Sequence, residues 1–161
     1  MQLQQFVPSE VCLQCEGCCR FPSADSPWRP KVGSQEPLAD QVDTSGHLPT
    51  KFVGECYHCK YFKAADSTCQ AYGHRPFECE LYPFILSLEQ NQARVYMHLA
   101  CPYIQMQQDK PALQEYITYL KGFLSTDHFH TFLAANRRLL HDYSAFHQEL
   151  MFLFDLPGVP A

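Results

Sequence analysis

Cys12-Leu13-Gln14-Cys15-Glu16-Gly17-Cys18-Cys19 packs four thiols into eight residues near the start of the chain. Two residues between thiols let both sulfurs converge on one ion while the backbone N–H groups of the turn stabilise charge on them, a spacing common to zinc and iron–sulfur sites. Gly17 permits the tight turn that such a loop needs. Side chains of adjacent residues diverge, so Cys18 and Cys19 are expected to serve different ions or different sides of one cluster. Working outward, the remaining cysteines are Cys56, Cys59, Cys69, Cys79 and Cys101, all of them upstream of a long cysteine-free tail.

What these thiols do depends on where the protein resides. Met1-Gln2-Leu3-Gln4-Gln5 has neither the positive charge nor the apolar stretch of a signal peptide. No apolar run approaches the ~20 residues of a membrane span. A cytoplasmic protein with no membrane partner is expected, and in a reducing cytosol cysteines seldom form a disulfide framework. An odd count of nine clustered cysteines fits a ligand set better than disulfide staples. With 12 Lys+Arg against 17 Asp+Glu, the net charge of −5 excludes nucleic acid as the main partner, because phosphate binding needs a basic face. A protein partner of unspecified identity is left.

The sequence predicts an α+β fold: a small metal-organised cysteine-rich lobe of loops with a β-hairpin over residues 1–108, and a C-terminal helical extension packing on it over 109–161. Between Phe21 and Thr50 the chain is rich in Pro, Ser, Asp and Gly and poor in periodic apolar residues. It reads as a long loop separating two groups of ligands, and such length counts toward a binding or interaction surface. Residues 81–88 and 93–99 read as two strands around the polar turn Glu89-Gln90-Asn91-Gln92. The alternation of Val95, Met97 and Leu99 with Arg94, Tyr96 and His98 marks the second as half-buried. The hairpin is expected to bring Cys79 near Cys101.

Further along, Pro111 suits a first helical turn, and Leu113, Ile117, Leu120 and Leu124 recur at helical spacing. Thr126 can cap a second helix that sends Phe129, Phe132, Leu133, Leu139 and Leu140 to the core. Residues 150–158 read equally as a helical turn or a short buried strand. Tyr116, Tyr119, Phe123, Phe146, Phe152 and Phe154 are expected in the core rather than on a stacking platform. His128, His130, His141 and His147 lack the i, i+4 spacing of a helical zinc site and read as solvated or capping.

In Cys59-Lys60-Tyr61-Phe62, Cys69-Gln70-Ala71-Tyr72, Arg75-Pro76-Phe77-Glu78-Cys79 and Cys101-Pro102, together with the opening run, the sequence resembles the YkgJ-like cysteine cluster family, a zinc- or iron-chelating domain. That family's motifs run C-x-x-C-x-x-C-C, then C-x-F/Y-L/F, C-x-x-Y, R-P-x-x-C and a late C-P. The resemblance covers residues 12–102 and implies metal ligation by Cys12, Cys15, Cys18, Cys19, Cys59, Cys69, Cys79 and Cys101. Cys56 stands outside the pattern, which leaves open whether Cys56 or Cys59 ligates. His58 and His74 lie beside ligand cysteines and could complete a site of three thiolates and one imidazole.

Eight thiolates suit two Zn2+ ions, each held by four sulfurs, and they equally suit an iron-sulfur cluster, whose bacterial pattern ends in a cysteine before proline. Arg75 either offsets thiolate charge or pairs with Glu78 or Glu80 while Pro76 fixes a turn. Two functions are consistent with these features, an electron-transfer or metal-handling module and a structural zinc-binding interaction scaffold; the resemblance implies a third, because the domain type is similar to the cysteine-rich part of flagellin lysine N-methylases: an accessory cluster domain of a modification enzyme. No triad, phosphate loop or paired-carboxylate motif is recognisable in the sequence, and nothing marks a methyl-donor pocket, so the last ranks lowest.

Overall fold

The computed structural model describes residues 3–15 and 17–159, and the chain forms two compact units, Val7–Glu80 and a second made of residues 3–6 with 81–159. Helices mix with antiparallel sheets, so the protein is α+β as its sequence predicts. The predicted hairpin belongs to the second unit, with the helices. Among the described residues no helix is long and apolar enough to cross a membrane.

The Val7–Glu80 unit opens with a single turn, α1 (Ser9–Cys12), and a 3-10 turn, Gly17–Cys19. Next come β1 (Arg20–Phe21), β2 (Thr50–Val53) and β3 (Cys56–Cys59), which form an antiparallel sheet with β3 in the centre. Val53 faces Cys56 across a two-residue connection, with Gly54 at φ +67° supplying the left-handed backbone that such a hairpin requires. A small hairpin of β4 (Phe62–Lys63) and β5 (Thr68–Cys69), a 3-10 turn at Tyr72–His74 and α2 (Phe77–Leu81) complete the elements.

The segment between Phe21 and Thr50 carries no helix or regular strand, in line with its composition, but it is a core element. A bridge between Lys31 and His47 folds it on itself, and Val32 and Leu48 enter the apolar cluster with Phe21, Leu38, Cys59, Phe62 and Ala71. Polar side chains replace secondary structure as its scaffold. Asp43 accepts from Arg29, Ser45 and the His47 amide. Glu36 accepts from the amides of Gly33 and Phe77, and Glu78 from the amide of Lys31. Burial pushes the Asp43 carboxyl up, but the hydrogen bonds from Ser45 and Arg29 outweigh it and hold the group well below the usual carboxylate range.

In the second unit β6 (Phe84–Glu89) and β7 (Gln92–His98) pair from Phe84 opposite Met97 to Glu89 opposite Gln92, turning at Gln90 and Asn91, both with positive φ. Three helices come next: α3 (Pro102–Gln107), α4 (Pro111–Leu124) and α5 (Asp127–Ala135). Pro111 sits in the first turn of α4, and the Thr126 hydroxyl accepts from the Phe129 amide at 3.2 Å, both as predicted. On α4 the buried stripe is Leu113, Tyr116, Leu120 and Leu124; Ile117 lies at its edge because the Tyr116 ring takes the central place, stacked on Phe84 at 5.2 Å.

The undecided C-terminal run is a strand, β8 (Leu150–Asp155), antiparallel to β7. This makes β7 the central strand and corrects the half-buried expectation: Tyr96 and His98 are only 4% and 5% exposed. Tyr96 is covered by His147, stacked at 5.3 Å, and by Phe152, edge-on at 5.7 Å. His147 is half exposed to solvent, in line with its sequence reading, and packs on Tyr96. Its ring also meets Glu89.

Candidate metal centre

Five short elements carry the thiols of the Val7–Glu80 unit. Cys12 ends α1, Cys15 lies just after it, Cys18 and Cys19 lie on the 3-10 turn, Cys56 and Cys59 bound β3, Cys69 ends β5, and Cys79 sits in α2. Cys101 belongs to the second unit, where it is buried and stands at the N-cap of α3, ahead of Pro102. The local geometry of the opening run is set by its turns: the Cys12 and Leu13 amides are bound by Pro8 and Ser9, and the Cys15 amide reaches the Cys12 carbonyl at 3.3 Å. The Gly17 N–H points at Cys15 Sγ at 3.4 Å, the backbone-to-sulfur contact that this spacing favours.

Cys18, Cys19, Cys59, Cys69 and Cys79 form a mutually interacting set. Cys19 donates its S–H to Cys18, which draws the Cys18 thiol below its ordinary value and pushes Cys19 far above. The vicinal thiols therefore meet rather than diverge. Burial, reinforced by Cys69 and Cys18 and opposed by backbone N–H groups, raises Cys59 to about 11. Burial, then Cys59 and Cys18, raises Cys79, while burial is also the main cause of the rise at Cys69. Cys12 is raised by burial and by Cys18, and Arg75 opposes both.

Arg75 is the cation of this neighbourhood. Its Nη1 donates to Cys12 Sγ at 3.6 Å, and its guanidinium lies 3.9 Å above the Tyr72 ring. It also adds to the fall at Cys18 and opposes the rise that burial causes at Cys69 and Cys79. Both sequence readings of Arg75 have a counterpart: it lies beside sulfur and its charge also reaches Glu80, whereas Glu78 pairs with Lys31.

Cys56 and Cys59 are three residues apart on one strand, and successive side chains of a strand point to opposite faces, so the two thiols cannot chelate together. Cys59 joins the apolar cluster and the thiol set. His58 is buried against Phe62, with ring centroids 5.3 Å apart, and His74 is exposed. Sequence spacing alone missed this strand, although Val53-Gly54-Glu55-Cys56 carries the hairpin signal.

Among the described residues no three His, Cys, Asp or Glu side chains stand arranged to hold an ion as they are. The donor chemistry nonetheless fits a soft metal: several sulfurs share one neighbourhood, an arginine lies beside them and a backbone N–H faces Cys15. Protonated thiols are poor ligands, so metal uptake here is coupled to proton release.

A family model, CxxCxxCC, described as "Putative zinc- or iron-chelating domain", matches residues 11–102. No curated protein and no solved structure matches the chain.

Proposed function

The chain belongs to the CxxCxxCC family, a zinc- or iron-chelating domain, and from that premise we propose that it is an electron-transfer or metal-handling module whose Cys12, Cys15, Cys18, Cys19, Cys59, Cys69 and Cys79 take iron, as an iron–sulfur centre, or zinc. One observation carries this reading: Cys18, Cys19, Cys59, Cys69 and Cys79, drawn from four separate elements, interact with one another beside Arg75. Sulfur selects both metals, and the arginine offsets the negative charge that a thiolate-held centre keeps.

The Val7–Glu80 unit also owns an apolar cluster built on Phe21, Val32, Leu38, Leu48 and Phe62. Thiols that are not the sole core of their unit suit a centre that takes up and passes on electrons or metal better than one that serves folding alone. The interaction-scaffold reading is the competitor. The separating measurement is metal and sulfide analysis of anaerobically purified protein, with its visible spectrum. Brown protein with broad visible absorbance and acid-labile sulfide supports an electron-transfer centre. Colourless protein with stoichiometric zinc and no acid-labile sulfide supports the scaffold. Protein that takes up neither metal defeats both.

A further inference from the structure

On the second unit, the sheet carries a feature that neither the cysteines nor the helices explain. Strand β8 is an outer strand of the sheet, and its side chains do not keep the regular alternation of a strand. The register slips between Val95 and Tyr96: Phe154 faces Val95, Phe152 faces Tyr96 and Asp155 faces Arg94. An extra residue in one strand re-aims the side chains beyond it. Here it sets Phe152 and Asp155, three positions apart, on the face that also bears Arg94 and Tyr96.

The result is a groove of about 450 Å³ lined by Arg94, Tyr96, His147, Leu150, Phe152 and Asp155. Beneath it lies Glu89, buried and accepting from Ser87 at 2.6 Å, Arg94 at 2.8 Å and Tyr96 at 3.0 Å. The walls are aromatic. Phe152 is 51% exposed and its neighbour Met151, on the opposite face, 43%. Of the charges, Arg94 is shared between Glu89 and Asp155, and Asp155, with a side chain 49% exposed, meets it only at 3.4 Å. Glu89, which His147 Nε2 also meets at 3.1 Å, is fully engaged, so Asp155 is the carboxylate of the groove with room for a further cation, beside the exposed Phe152 ring that attracts one.

We propose that β8 is a docking edge for an extended peptide that adds a strand to the sheet and places a lysine or arginine side chain in this groove, over the exposed Phe152 ring and against Asp155. An edge strand offers unpaired main-chain groups that give affinity, while a pocket beside it gives specificity. A second copy of this chain is the poorer occupant. Antiparallel pairing of β8 with itself brings Asp155 of one copy to the Leu150 end of the other, next to Glu149, and the chain already carries a net charge of −5.

The test uses the full chain, uniformly labelled with 15N, titrated with a six-residue peptide alternating valine and lysine. A control peptide carries glutamate for lysine, and another carries N-methyl groups on alternate amides. The lysine peptide is expected to shift amide signals of residues 150–155 and of Arg94 and Tyr96. Phe152→Ser and Asp155→Asn, both at exposed positions, are each expected to weaken it at least tenfold. The glutamate and N-methylated peptides are expected not to bind. The proposal is overturned if the lysine peptide leaves these signals unmoved while the protein is folded, or if the glutamate peptide binds as well. It is equally overturned if sedimentation shows a dimer that Phe152→Ser dissolves, which would make a second copy the occupant.

Discussion

Arg75 holds its guanidinium 3.6 Å from Cys12 Sγ while lying over the ring of Tyr72. A planar cation stacked on one side and bonded at its edge is fixed in place, so its charge falls on the thiols rather than in solvent. Arg75→Gln is expected to weaken metal affinity about tenfold, the loss of one charge-assisted hydrogen bond of about 1.4 kcal/mol. Arg75→Lys should recover part of it, since the charge returns without the fork or the stacking. Competition against a chromophoric zinc chelator measures both. Unchanged affinity in Arg75→Gln would show that the guanidinium is only a structural neighbour of the sulfur.

Cys56 and Cys15 separate the ligand assignment from simple thiol content. Cys56 faces away from Cys59 on β3, so Cys56→Ser should keep its full metal load and lose less than about 1 kcal/mol of stability. Cys15→Ser removes a sulfur that the Gly17 amide already faces and should lose metal and soluble yield together. Metal-to-protein ratios of the two purified variants decide the matter. A Cys15 variant with its full metal complement would refute the assignment.

Local signals in the sequence mark the elements well where one residue type decides the geometry. The polar turn at Gln90 and Asn91, the first-turn proline of α4 and the Thr126 cap each act through their own backbone, and each is found where the sequence puts it. Tertiary choices are less visible. Tyr96 reads as a solvent-facing residue of a half-buried strand because nothing in its own segment announces that β8, some fifty positions later, will lie beside it. Phe152 reads as core, yet the bulge turns it outward. At the candidate metal centre the cysteine motifs and their order are legible, as the family match bears out, but the C-x-x-C of Cys56 and Cys59 misleads, because in a strand that spacing separates the sulfurs. The long segment before Thr50 hides its structure for another reason: long-range side-chain-to-backbone bonds, such as those of Glu36 and Glu78, leave no periodic trace.

The Lys31–Glu78 pair ties that segment to α2. Lys31 Nζ lies 3.7 Å from the Glu78 carboxylate, its side chain is almost fully buried, and the Glu78 carboxylate also accepts from the Lys31 amide. Burial pushes the Glu78 carboxyl up to about 7, so without Lys31 it takes a proton rather than stay charged, and Lys31→Met should cost about 1–3 kcal/mol. The double variant Lys31→Met with Glu78→Gln should be appreciably less destabilised than the sum of its single changes. Urea midpoints of the four proteins give the coupling. Strict additivity would mean that the pair contributes nothing as a pair.

Glu89 makes the second unit sensitive to acid. Burial alone would push its carboxyl up, but the hydrogen bonds from Ser87, His147, Tyr96 and Arg94 outweigh it and hold the group below the usual carboxylate value. A carboxylate depressed by folding stabilises the native state above its unfolded value of about 4.3, and that contribution is lost as pH falls through the lower native value. The wild-type chain should therefore lose stability between about pH 5 and pH 3 more steeply than Glu89→Gln does, since the amide has no charge to titrate. At neutral pH Glu89→Gln should itself cost about 1–3 kcal/mol, because Gln accepts through only one of the two oxygens and its NH2 meets the donors of Ser87, Tyr96 or Arg94. Thermal unfolding of both proteins across that pH range, monitored through the aromatic signal of Tyr96 and its neighbours, checks the slope and the offset together. Parallel stability curves for the two proteins would show that the carboxylate is not held by these donors in solution.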